Sequence, residues 1–168
     1  MTPITFEVTG NPKAQPRPRA FARKFGNGTV AARVYMPGTA EEWKSLIAIA
    51  AKPHLPFLPI QGPIRVDAEF RFERPKSHFL KSGLRPCAPI YHFSKPDRDN
   101  LEKALLDTLT TLRMWEDDGQ VCCGEVTKIY SARPGATVTI TALATGEPVK
   151  RLRGRRRWFC HYERNPNH

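Results

Sequence analysis

The run Ile64-Arg65-Val66-Asp67-Ala68-Glu69-Phe70-Arg71-Phe72 alternates apolar and charged side chains without a break. A period of two puts one set on each face of an extended chain, so this is a strand with an apolar face to bury and a charged face turned outward. Such a strand needs sheet neighbours and an apolar layer laid across it. Ile4, Phe6 and Val8, alternating with Thr5, Glu7 and Thr9, supply one neighbour, and Val138, Ile140 and Ala142, alternating with threonines, supply another. Val121 to Tyr130 reads as one further strand, joined to the last as a hairpin through Pro134-Gly135.

Two helices provide the covering layer. Thr39 and Glu42 have capping-box spacing before Trp43, Leu46, Ile47 and Ala50, which predicts a helix from about Ala40 to Lys52 that Pro53 closes. Asp99 as N-cap, with Glu102 three residues on, opens a second helix whose Leu101, Ala104, Leu105, Thr108, Leu109 and Leu112 share one face. Asn100, Lys103 and Asp107 take the opposite face. The expected fold is α/β (α+β): a single domain with a mixed sheet of about four strands packed with two main helices. Two segments read as loops: the Pro- and Gly-rich stretch Asn11 to Gly28, and Pro75 to Pro96, long enough to suggest a function.

The 168 residues suit one core, placed in residues 1–145, with 146–168 as a basic C-terminal extension. No stretch approaches the length of a spanning helix and the N-terminus lacks a basic-then-apolar signal pattern, so a cytoplasmic protein with no membrane association is expected. Cys87, Cys122, Cys123 and Cys160 lack zinc-ligand spacing and read as reduced thiols.

The net charge of +11 is segregated. Residues 1–34 carry six basic side chains against one acid, and residues 147–168 carry seven against two, whereas Asp97 to Glu125 holds eight acids against three basic residues. Basic ends point to a polyanion, and nucleic acid is the expected partner. Phe21 and Phe25 among the arginines suit stacking on bases or tucking onto the core.

The acidic island is where chemistry is expected. Asp97 and Asp99 are spaced i, i+2 at a helix start, and Asp117 and Asp118 follow the helix, so a returning chain is expected to bring three or four carboxylates together. Two such charges about 4 Å apart repel by roughly 4 kcal/mol at an effective dielectric near 20, which calls for a cation. Carboxylates without paired histidine or cysteine favour Mg²⁺ or Mn²⁺, the ions of phosphodiester hydrolysis. Lys103 on the polar face reaches toward a bound phosphate. Each acid also has a plainer account as a cap or turn residue, which would leave a DNA-binding protein without catalysis.

The run Lys95-Pro96-Asp97-Arg98-Asp99-Asn100-Leu101-Glu102-Lys103, followed by Asp107, Trp115-Glu116-Asp117-Asp118-Gly119-Gln120-Val121 and Lys128, resembles the RusA family of Holliday junction resolvases. Arg74-Pro75-Lys76-Ser77-His78 and the upstream Arg-Pro-Arg loop are similar to its phage-encoded members. The resemblance spans roughly Thr2 to Leu143. It implies a homodimeric α/β fold making paired symmetric cuts in four-way junctions during recombination and repair. It also implies Asp97, Asp99 and Asp118 as metal-binding acids with Asp117 as substitute or helper, and Lys103 as the required lysine. Branched DNA of other kinds is the alternative substrate. Lys13, Arg17, Arg19, Arg23, Lys24, Lys76, Arg98, Arg151, Arg153, Arg155, Arg156 and Arg157 are the expected DNA contacts.

Overall fold

The computed structural model describes residues 2–16, 19–24, 30–35 and 40–144. The expected tail, with Arg151, Arg153, Arg155, Arg156 and Arg157, lies outside these residues, as do Arg17, Phe25 and Cys160. β1 (Ile4–Thr9) pairs antiparallel with β9 (Gly135–Ala142), and β9 pairs antiparallel with β4 (Ile64–Glu73). On its other side β4 pairs in parallel with β7 (Val121–Cys123) and β8 (Val126–Ser131), completing a mixed sheet of five strands. α1 (Glu41–Ala51) and α2 (Arg98–Thr111) are its two main helices, and α2 lies in the crossover from β4 to β7, as a parallel pairing requires. No helix among the described residues is long and apolar enough to cross a membrane.

The alternation that opened the sequence reading is the sheet's two faces. Ile64, Val66, Ala68, Phe70 and Phe72 join Phe6, Val8, Val138 and Ile140 in one core with Trp43 and Ile47 of α1 and Leu101, Leu105 and Leu109 of α2. Burying each large side chain contributes roughly 1.5–3 kcal/mol, so this seam dominates the stabilisation of the fold. The opposite face is polar: Arg65 pairs with Asp67 at 2.7 Å, and Arg71 lies 3.7 Å from Glu7 and 3.6 Å from Glu69. Arg65 holds the Asp67 carboxyl below its usual range. The arginines of this face are thus matched by acids.

Four expectations are corrected. The stretch 11–28 is not all loop, because β2 (Arg19–Lys24) pairs antiparallel with β3 (Val30–Tyr35). Its prolines end at Pro18 and its glycines begin at Gly26, leaving seven unbroken residues between. β8 and β9 are not a hairpin, since β4 lies between them; period two identifies a strand but not its partner. The segment 121–130 is two strands, broken where a Cβ on Gly124 would lie 1.8 Å from the Val66 carbonyl oxygen, an approach only glycine permits. Finally, α1 has Ala40 at its N-cap with no side-chain cap, Thr39 lying outside the described residues, and Glu42 pairs with Lys13 instead.

Candidate active site

α2 organises the candidate residues. It begins directly after Pro96, with Asp97 rather than Asp99 as N-cap residue and the Leu101 amide donating to the Asp97 carbonyl at 3.2 Å. Asp97 is extended, as an N-cap residue is, and helical turns start one residue later, which moves the cap two residues upstream of the expected one. Asp99 then sits in the first turn, where a negative charge meets the positive end of the helix dipole. Asp97, Arg98 and Asp99 are all exposed.

Three segments pack around this first turn. The Gln15 amide donates to the Asn100 carbonyl at 3.0 Å, which docks the loop carrying Lys13 against α2. Lys128, on β8, donates its ammonium to the carbonyls of Ser94 at 2.7 Å and Pro96 at 2.6 Å. Burial pushes its pKa down and the neighbouring Asp97 opposes that shift. Lys128 thus fixes the residue immediately before the acids, a role that its place in the motif does not reveal.

The third segment is the end of the 75–96 loop. It opens with a 3-10 turn at Lys76–His78, where Lys76 is exposed, and continues through the short β5 (Phe79–Leu80) and β6 (Gly83–Leu84). Ile90 to His92 then run along the free edge of β8, where Tyr130 donates to Ile90 and His92 donates to Lys128 through their backbone amides. His92 is buried, stacked on Phe72 with ring centroids 4.1 Å apart and tilted against Tyr130 at 4.9 Å. Arg74 covers the Tyr130 ring at 5.6 Å and donates to the Pro89 carbonyl.

His92 is therefore an anchor, and burial, with Lys128 nearby, holds its pKa below the usual 6.5. An unfolded chain takes up that proton near 6.5 and the folded chain resists it. The stability His92 provides is thus complete above 6.5 and falls as pH drops below it. Urea midpoints for the wild type and His92→Phe, which keeps the stack, are expected to show the wild type losing ground between pH 8 and pH 5. A constant difference would show that His92 does not titrate on unfolding.

Past the last turn of α2, Asp117 and Asp118 lie at a 3-10 turn, Asp118–Gln120. The Asp117 carboxylate accepts the Gly119 amide at 2.7 Å, so it is engaged in capping the turn. The Gln120 carboxamide accepts the Glu116 and Asp117 amides and donates to the carbonyls of Ile60 and Gly62, tying the turn to the start of β4. Asp118 is exposed and lines a groove of about 640 Å³ with Glu41, Lys44, Asp107 and Thr111. Lys103 points along the same helix, 3.7 Å from Asp107.

The expected meeting of acids does not occur within one chain. α2 has 14 residues and so rises roughly 21 Å, with Asp97 and Asp99 at its start and Asp118 beside its C-terminal half. The sheet repeats the separation: Val121 pairs with Ile64, whereas Lys128, Asp97's neighbour, pairs with Phe70. Among the described residues no three His, Cys, Asp or Glu side chains gather to hold a metal ion. Arg19, Arg23 and Lys24 lie on β2, of which only the backbone is described.

Comparison with known proteins gives this arrangement its relatives. The chain is similar to the uncharacterized protein YqaN of Bacillus subtilis (strain 168), 36% identical over 146 residues that cover 82% of this chain and 94% of that protein. The family described as Endodeoxyribonuclease RusA matches residues 9–141, from the end of β1 to the end of β9, and so takes in both acid-bearing ends of α2. With that span and this α+β fold, the chain belongs to the RusA endodeoxyribonuclease family.

Proposed function

We propose that this chain is a Mg²⁺- or Mn²⁺-dependent endonuclease that resolves four-way DNA junctions by paired cuts in recombination and repair. It acts as a homodimer whose two copies complete each other's sites. The separation of Asp97 and Asp99 from Asp118 along α2 carries this reading. A two-fold axis that sets two copies of α2 antiparallel brings the first turn of each against the far end of the other, and both sites form at once. Two sites related by symmetry suit a substrate with two equivalent strands to cut.

The donor set fits a hard divalent ion: Asp97 and Asp99 from one copy and Asp118 from the other, all carboxylates, with Asp117 held in its turn beside them. When bound, the ion supplies Lewis acidity and charge neutralisation at the scissile phosphate. The chain provides the rest. The N-terminal end of α2, the positive end of its dipole, favours an anionic phosphate. Lys103 offers a cation for charge that builds in the transition state. Lys13, Lys76 and Arg98, with Arg17, Arg19, Arg23, Lys24 and the arginines of the tail, hold the DNA arms through their phosphates.

The test is incubation of the purified protein with a labelled synthetic four-way junction and with linear duplex, each with Mg²⁺ and with EDTA. Symmetric, metal-dependent cutting of the junction alone is expected. Cutting of both DNAs alike would remove the junction preference, and tight binding without cutting would leave a DNA-binding protein.

A further inference from the structure

The loop that precedes the acids is itself basic and rich in apolar side chains. Residues 74–96 carry Arg74, Lys76, Lys81, Arg85 and Lys95 and no acid. They also hold most of the exposed large apolar side chains among the described residues, including Tyr91 at 67% and Phe93 at 83% exposure. Exposing large aromatics in water costs free energy, and such a patch marks a contact surface.

The way the loop is held explains why these two rings point outward. Ile90 to His92 are paired along β8, with a bridge between Tyr91 and Ile129. Extended backbone alternates its side chains, so burying His92 between Phe72 and Tyr130 drives its neighbours Tyr91 and Phe93 to the opposite side. The rings are held on a fixed edge rather than on a free loop tip. Phe93 stands four residues before Asp97, and Lys128 clamps the intervening Ser94 and Pro96 carbonyls.

A surface that is cationic and aromatic at once fits one partner chemistry best. Phosphates satisfy the charges and the π-faces of bases satisfy the rings. Base faces are hidden in stacked duplex and become open where stacking is interrupted. We propose that Tyr91 and Phe93 form a stacking platform for bases exposed at the branch point, placing the crossover beside Asp97 and Asp99. This rests on the branched-DNA reading above and names the residues that recognise the branch.

The experiment uses the full chain in EDTA, so that binding is read without cleavage. A four-way junction and a linear duplex of the same arms carry 2-aminopurine at equivalent positions, the branch point in the junction. The wild type is expected to bind the junction more tightly and to quench its probe by stacking. Tyr91→Ala/Phe93→Ala is expected to lose the quenching and about 10- to 100-fold of junction affinity, with duplex affinity changed by less than about 3-fold. Tyr91→Phe and Phe93→Tyr, which keep the rings, are expected to retain both. If the wild type discriminates and the double variant discriminates and quenches equally well, the platform is overturned while the branched-DNA reading stands. If the wild type binds both DNAs alike, both fall. Loss of self-association in the double variant with quenching unchanged would make the patch a protein contact and overturn the platform.

Discussion

Asp99→Asn and Asp118→Asn, each inert alone, are expected to regain cleavage when the two variants are combined in one dimer. Replacing either acid removes a metal ligand worth several kcal/mol in the transition state, which corresponds to a loss on the order of 1000-fold. If each site takes Asp97 and Asp99 from one copy and Asp118 from the other, a mixed dimer has one site with both defects and one with neither. Random mixing makes half of the dimers mixed, so about a quarter of the wild-type number of sites returns. Those dimers cut one strand and not its partner, so the product is a nicked junction rather than two resolved duplexes. Combining Asp97→Asn with Asp99→Asn is the control, because both defects then lie at the same end of α2 and every mixed site keeps one. Co-expression of differently tagged variants, tandem purification and a strand-specific cleavage assay would read the result. Recovery by neither pair would place all three acids in one chain's site and remove the antiparallel arrangement. Recovery by both would place Asp99 on the opposite copy from Asp97 and Asp118 in each site.

The sequence carries the elements of this fold more clearly than their arrangement. Ile64 to Phe72, Ile4 to Val8 and the leucine face of α2 are legible because burial imposes periods of 2 and 3.6 on the residues themselves. The place of β4 between β8 and β9 is not legible, because the alternation in Val138, Ile140 and Ala142 is satisfied equally by either neighbour. The same division holds at the candidate site. Asp97, Asp99, Asp118 and Lys103 stand out by residue type and spacing. Their distribution over the two ends of α2 depends on helix length and strand register, which no local pattern encodes. Lys128 and Gln120 belong to the motif that carries the family resemblance, but their roles are harder still to read, since each acts by bonding to backbone carbonyls distant in sequence.

Lys128→Met is expected to lower the cleavage rate by about 10- to 100-fold, the usual cost of removing a group that orients metal ligands without touching the metal. Methionine keeps the length and apolar stem of the side chain but removes the ammonium, leaving the Ser94 and Pro96 carbonyls without that donor and Asp97 without the neighbouring cation. Stability should fall by about 1–3 kcal/mol, as when a partly buried hydrogen-bonding group loses its partner. That loss alone does not identify a positioning role, since any strut would give it. The distinguishing readout is the division of the kinetic defect. The Lys128 ammonium is spent on the Ser94 and Pro96 carbonyls, so junction affinity and KM should stay within about 3-fold while kcat carries the loss. Lys128→Arg, which restores charge and donors at a similar reach, should recover most of kcat. A variant that is less stable yet turns over at the wild-type rate would reduce Lys128 to a strut. Weakened junction binding with kcat preserved would place it on the DNA surface instead.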